Sequence, residues 1–142
     1  MEVHVRTHLF VFQSQDKRKW GTLHVAAKYD RQEIASLLIA RGADVTARSD
    51  RNALPLHVAS MEGHVAMMRI LLEACVERER VEMVNCVTVE DESPLDAAVE
   101  RRKIDAVRLC LQHGSNLKQK HRNQTIILTF AISLLCHRCT RP

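Results

Sequence analysis

One tetrapeptide returns in register, and that return constrains the fold more than any other property of the chain. His24-Val25-Ala26-Ala27 comes back one period later as His57-Val58-Ala59-Ser60, and Ser93-Pro94-Leu95-Asp96-Ala97-Ala98 restarts the pattern after a somewhat longer interval. Around His57 the local chemistry reads as two short helices joined by a tight turn. Pro55 suits a helix's first turn, where its fixed φ is preorganised and the missing N–H had no partner anyway. Ala59 and Ser60 are small enough for a neighbouring helix to approach closely. Gly63 can take the left-handed conformation that ends the first helix. Met67, Met68, Ile70, Leu71 and Leu72 then supply the buried stripe of a second helix. Such a pair cannot bury both of its faces alone, so it needs neighbours of its own kind.

The other anchors keep the same phase. Ile34, Leu37, Leu38 and Ile39 precede Arg41-Gly42-Ala43-Asp44-Val45, and Val107, Leu109, Cys110 and Leu111 precede His113-Gly114-Ser115-Asn116-Leu117. A period of 33 with these anchors resembles the ankyrin repeat, and the resemblance runs from Asp16 to Leu117. It implies an all-α solenoid of helix–turn–helix repeats with β-hairpin-like loops, about three repeats plus a partial fourth. A fold of this kind says little about any particular function.

A chain of 142 residues is long enough to bury a real core. Only five aromatic residues are present, so Leu, Ala, Val and Met must fill it. The net charge of +4, with basic and acidic residues interspersed, falls short of a dedicated nucleic-acid binder, and no nucleic-acid partner is expected. Five cysteines without a framework spacing fit a reducing, cytoplasmic setting. The longest apolar run, Ile126 to Cys136, is broken by Thr129 and Ser133. It falls short of the roughly 20 residues that cross a bilayer, so no direct membrane insertion is expected.

In order along the chain, residues 1–15 form a weakly ordered extension that alternates apolar and polar residues and could also fold back over the first repeat's exposed face. Repeat one spans 16–48 and repeat two 49–83; repeat three spans 84–117, and 118–142 hold a partial fourth repeat and tail. Asp30 stands where the family usually has Gly and should tolerate that turn less well. Asn52, at a hairpin, is the next-best residue for a left-handed turn. The six extra residues of the second interval fall within 76–83, since Val84-Asn85 stands ten residues before Leu95 as Val45-Thr46 does before Leu56. That segment has no Gly or Pro, so it should extend the second helix by a turn or more before a wider loop. On that reading, removing six residues here should be tolerated. The apolar tail is odd for a terminal cap. Either it is buried against something, giving a route to self-association, or the chain is part of a longer array.

No nucleophile, base and orienting group stand at useful spacing, and Gly21, Gly42, Gly63 and Gly114 are all explained by repeat turns rather than by a phosphate loop. His24 and His57 share one slot, where the family's His braces the hairpin through local hydrogen bonds; Asp96 fills it in the third repeat. Cys136-His137-Arg138-Cys139 has the spacing of half a zinc site, but the second ligand pair is missing. Catalysis, cofactor and metal are therefore not expected. What the resemblance implies is a binding surface on the concave side. It maps to Arg48, Asp50 and Arg51 on a hairpin tip and to Lys28, Tyr29, Met61, Glu62, Glu100 and Arg101 on first helices. Tyr29 and Met61 are the apolar anchors within charge, a hot-spot pattern for a protein partner. The other reading is a structural piece of a larger scaffold or of an ankyrin-bearing cation channel.

Overall fold

A computed structural model of the protein describes residues 19–116. They form seven helices: α1 (Thr22–Lys28), α2 (Gln32–Ala40), α3 (Pro55–Glu62), α4 (Val65–Glu73), α5 (Glu77–Val84), α6 (Pro94–Glu100) and α7 (Ile104–Gln112). No strand occurs among the described residues. The expectations for the partial fourth repeat, the apolar tail, the Cys136–Cys139 pair and the N-terminal extension lie outside them.

Three antiparallel pairs, α1–α2, α3–α4 and α6–α7, stack side by side. α3 packs between α1 and α6, while α4 packs between α2 and α7. Close approach of the inner helices depends on small residues: Ala26 and Ala27, Ala59 and Ser60, then Ala97 and Ala98, all buried. Ser60 is polar, and its hydroxyl donates to the Leu56 carbonyl at 2.8 Å, so burial leaves its donor satisfied. The outer layer contributes Met67, Met68, Leu71, Leu72, Val107, Leu109 and Cys110 to one continuous core. Burial pushes the Cys110 thiol up to about 12, so it packs there as a small hydrophobe.

Left-handed residues recur with the sequence period and set the turns. Lys19, Asn52 and Asp91 have φ of 52°, 62° and 57°, at corresponding hairpin positions of successive repeats. Asp30, Gly63 and Arg102 have φ of 53°, 76° and 56° between the helices of each pair. Asp30 thus makes the same turn as Gly63, its carboxylate accepting from Gln32 Nε2 at 3.2 Å. A local polar partner is what lets Asp visit this region at modest cost. Each turn closes through the same backbone bond: Arg31 N–H to the Ala26 carbonyl, His64 N–H to Ala59 and Lys103 N–H to Ala98.

Two histidines tie each pair to the next. His24 Nδ1 accepts from Gly21 N–H at 3.1 Å, while its Nε2 lies 2.9 Å from the Ala53 carbonyl. His57 repeats this with Leu54 N–H at 3.0 Å and the Cys86 carbonyl at 3.0 Å. Because Nδ1 accepts a backbone proton, Nε2 must carry the ring proton and donate it. Asp96 fills the slot with a capping box instead, accepting from Ser93 N–H at 2.8 Å while Ser93 Oγ accepts from Asp96 N–H at 3.2 Å.

Burial pushes the His57 imidazole down from 6.5 to about 4, against the opposing pull of the carbonyls it bonds. The unfolded chain therefore takes up a proton that the folded chain refuses between those two values. Stability from this residue is fully present above pH 6.5 and is lost as pH falls toward 4, by up to about 3 kcal/mol. Urea midpoints at pH 7.5 and 4.5 measure it. His57→Gln should be less stable at pH 7.5 but lose less on acidification. Equal losses in parent and variant would remove His57 as the cause.

The second pair ends differently from the sequence expectation. Instead of a lengthened α4, the chain breaks at Cys75-Val76, where Val76 is extended (φ −67°, ψ 157°), and starts a separate helix, α5. The Cys75 side chain turns inward, its Sγ 3.2 Å from Met83 Sδ, and Arg80 Nε donates to the Cys75 carbonyl at 3.0 Å. The break brings Met83 and Val84 back under the stack, 2% and 0% exposed, whereas Val76 is 65% exposed. A straight extension of α4 would have carried both of those apolar residues into water. Val84 is consequently the last residue of α5 rather than part of a hairpin arm, which begins after Asn85.

Candidate concave binding site

Both hairpin tips in the described residues close on themselves and then on each other. Ser49 N–H donates to the Ala53 carbonyl at 2.9 Å and Thr88 N–H to Glu92 at 3.0 Å. Between tips, Val89 N–H donates to the Arg51 carbonyl at 3.0 Å and Asn52 Nδ2 to the Val87 carbonyl at 2.9 Å. Arg51 and Glu90 face each other at 3.4 Å, both well exposed, so their attraction adds little to stability. Backbone bonds, not this ion pair, hold the tips in line.

The tips and the inner helices together enclose an open groove of about 550 Å³. Its floor is Ser49, Ala53, His57, Val58 and Ala97; its walls carry Trp20 and Lys28 at one end and Met61, Glu62 and Arg101 at the other, with Asp50, Arg51, Thr88, Glu90 and Glu92 on the tips. The Lys28 ammonium lies 5.6 Å from the ring centres of both Trp20 and Tyr29, within cation–π range. Trp20 in turn stacks on His24 at 6.1 Å. Arg101 extends over Met61, its Nη2 4.0 Å from the sulfur. The groove is thus lined by a few apolar surfaces among charges of both signs.

Of the residues read from the sequence, Lys28, Asp50, Arg51, Met61, Glu62 and Arg101 line this groove. Tyr29, Arg48 and Glu100 do not. Tyr29 is 60% exposed at the end of α1, reaching the groove only through Lys28. Arg48 donates to Asn52 Oδ1 at 2.8 Å and braces the tip. Glu100 is exposed to solvent at the end of α6. Trp20, Thr88, Glu90 and Glu92 line the groove without being among the sequence candidates. Register is the signal that could find the tip residues, since Glu90 and Glu92 take the slots of Arg51 and Ala53 in the following repeat. Trp20 takes the slot of Ala53 in the preceding one.

Among the described residues no cluster of three or more His, Cys, Asp or Glu side chains could hold a metal ion. No helix there is long and apolar enough to cross a membrane. The buried histidine in the floor has both ring nitrogens engaged by backbone, so it is unavailable as a base.

Comparison with known proteins agrees with this geometry. The chain is 30% identical over 90 residues to a putative ankyrin repeat protein of fowlpox virus, covering 63% of the chain and 13% of that protein. It is 32% identical over 103 residues to the transient receptor potential cation channel subfamily A member 1 of Drosophila melanogaster, covering 70% of the chain and 9% of the channel. It is 27% identical over 146 residues to the ankyrin repeat protein nuc-2 of Neurospora crassa, covering 82% and 14%. The chain therefore spans only about a tenth of the length of these relatives. The family model for ankyrin repeats in three copies matches residues 5–82 and 23–121. With three stacked helix pairs, phased left-handed turns and hairpin tips in line, the chain belongs to the ankyrin-repeat family.

Proposed function

We propose that this chain is a non-catalytic protein-interaction module that takes a protein partner in its concave groove, inside the cell. The observation that carries the reading is the groove itself, preformed by bonded tips and offering Trp20 and Met61 as apolar surfaces beside Lys28, Arg51, Asp50, Glu62 and Arg101. Apolar anchors ringed by charge suit a modest hot spot, where a few residues supply most of the affinity. Tyr29 contributes at the margin through Lys28. Ankyrin repeats generally serve as protein-interaction modules without enzymatic activity, which supports the same reading.

The second reading is a structural segment of a larger scaffold or channel. It is favoured by the similarity to a Drosophila cation channel of which the chain spans 9%. One experiment separates the two. A partner captured by the purified chain is titrated against Met61→Ala/Arg101→Ala and against Val76→Asp, an exposed position at the start of α5 outside the groove. The groove variant should bind at least about tenfold more weakly with its melting temperature nearly unchanged, since these side chains are not core. Val76→Asp should bind as the parent does. Equal affinity in the groove variant would move the site elsewhere, and failure to capture any partner would favour the structural reading.

A further inference from the structure

The outer helices hold a second cleft, which shares no lining residue with the concave groove. It lies between α4 and α7, encloses about 230 Å³ and is lined by Val65 and Arg69 of α4 and by Asp105, Arg108, Leu109 and Gln112 of α7. Arg69 and Arg108 are each the fifth residue of their helix, so the repeat register sets one beside the other across the joint. In α2 that slot holds Ser36, so the joint between α2 and α4 lacks the pair. Axes of packed helices run about 8–10 Å apart, which puts two guanidinium groups within reach of a single carboxylate.

Like charges set side by side repel, and the fold does little to offset them here. Arg69 makes no ion pair with any described residue. Arg108 meets Asp105 of its own helix at 3.8 Å, but the two side chains are 56% and 76% exposed, so water screens the attraction. We propose that this cleft is a second docking surface, and that its occupant is an acidic side chain of a protein partner, a Glu or Asp next to an apolar residue. The carboxylate bridges Arg69 and Arg108, whose planar guanidinium groups are suited to forked hydrogen bonds with it. The apolar neighbour covers half-buried Val65 and the part of Leu109 that forms the cleft floor. Gln112 adds an amide that can donate to or accept from the partner's backbone. Asp105 acts against the occupant in two ways. It competes for Arg108, and it repels a run of negative charges, which favours a short acidic motif over a long polyanion.

The test is an NMR titration of the full chain, following its backbone amide signals. The probes are a short capped Gly/Ser peptide with Leu-Glu-Glu at its centre and its Leu-Gln-Gln counterpart, both at millimolar concentration. The Glu peptide should shift the amides of Arg69, Asp105, Arg108 and Gln112, and the Gln peptide should bind at least about tenfold more weakly. Arg69→Gln/Arg108→Gln should weaken the Glu peptide by about tenfold or more and leave the melting temperature nearly unchanged, since both side chains are exposed. Asp105→Asn should tighten it about two- to threefold by releasing Arg108, the opposite sign to the loss of a merely structural residue. Arg102→Gln is the charge control, exposed in the turn between α6 and α7 and lining neither the cleft nor the groove. It should bind the Glu peptide as the parent does. A Glu peptide that shifts nothing, or shifts Lys28 and Arg51 of the concave groove instead, would overturn the proposal. So would equal binding of the two peptides, or an Arg102→Gln loss as large as that of the double variant, which would leave only general charge attraction.

Discussion

Leu71→Ala is expected to lower the unfolding free energy by about 4 kcal/mol, in the upper part of the range for opening a cavity in a core. Leu71 is fully enclosed in the last turn of α4, and α4 lies between α2 and α7, so neither neighbour is free to collapse into the space. Its backbone carbonyl also accepts the Cys75 thiol at 3.7 Å, which couples it to the break before α5. The register supplies an internal control. Leu38 fills the same slot in the first pair but is only partly buried, so Leu38→Ala should cost about half as much. Urea denaturation of the two variants measures both. A Leu71→Ala loss under about half a kcal/mol, or a Leu38→Ala loss as large as that at Leu71, would mean that the stack is not closed around its middle pair.

The stack is legible in the sequence because its determinants repeat. Small residues at Ala26, Ala59 and Ala98 and large ones at Met67 and Leu71 recur in phase, and each repetition strengthens the inference from the last. Four of the left-handed turns are legible in residue type, at Gly42, Gly63, Gly114 and Asn52, all residues that visit φ > 0 readily. Asp91 and Arg102 are less so, because Asp visits this region only occasionally and Arg rarely; the fold imposes it there, at a cost in local strain. Asp30 belongs with them, its partner Gln32 being visible only in three dimensions. In the groove, residues at matching slots of the inner helices can be read off, which is how Met61, Glu62 and Arg101 are found. The acidic residues of the second tip escape that reading because the longer second interval displaces the register just before them. Tyr29 stays outside the lining because it follows the last residue of a short helix, where it is exposed beside Lys28.

Removing residues 77–82 is expected to cost on the order of 5 kcal/mol, even though it restores the regular repeat period. From sequence alone the shortened chain should be as stable as its parent, since the hairpin arm and the Ser93-Pro94 helix start both survive. The geometry of α5 reverses that expectation in two steps. First, the deletion moves Met83 into the slot of Asp44, which is exposed, so a side chain now 2% exposed is returned to water at a cost of about 2–3 kcal/mol. Val84 shifts into the slot of Val45 and remains covered, so the loss does not include it. Second, Cys75 falls in the slot of Gly42 and Gly114, both of which have φ of 88°. A residue with a Cβ pays about 1–2 kcal/mol to enter that region, and Cys75 also loses the contact between its sulfur and Met83. The two costs can be separated. Adding Cys75→Gly to the deletion should recover about 1–2 kcal/mol, because the residue now suits its slot. In the full-length chain the same change should destabilise, because there Cys75 is a buried packing residue that needs no left-handed turn. Thermal and urea unfolding of the four proteins give the comparison. A deletion variant that melts with the parent, or a Cys75→Gly change with the same sign in both backgrounds, would show that α5 is a spacer and not part of the core.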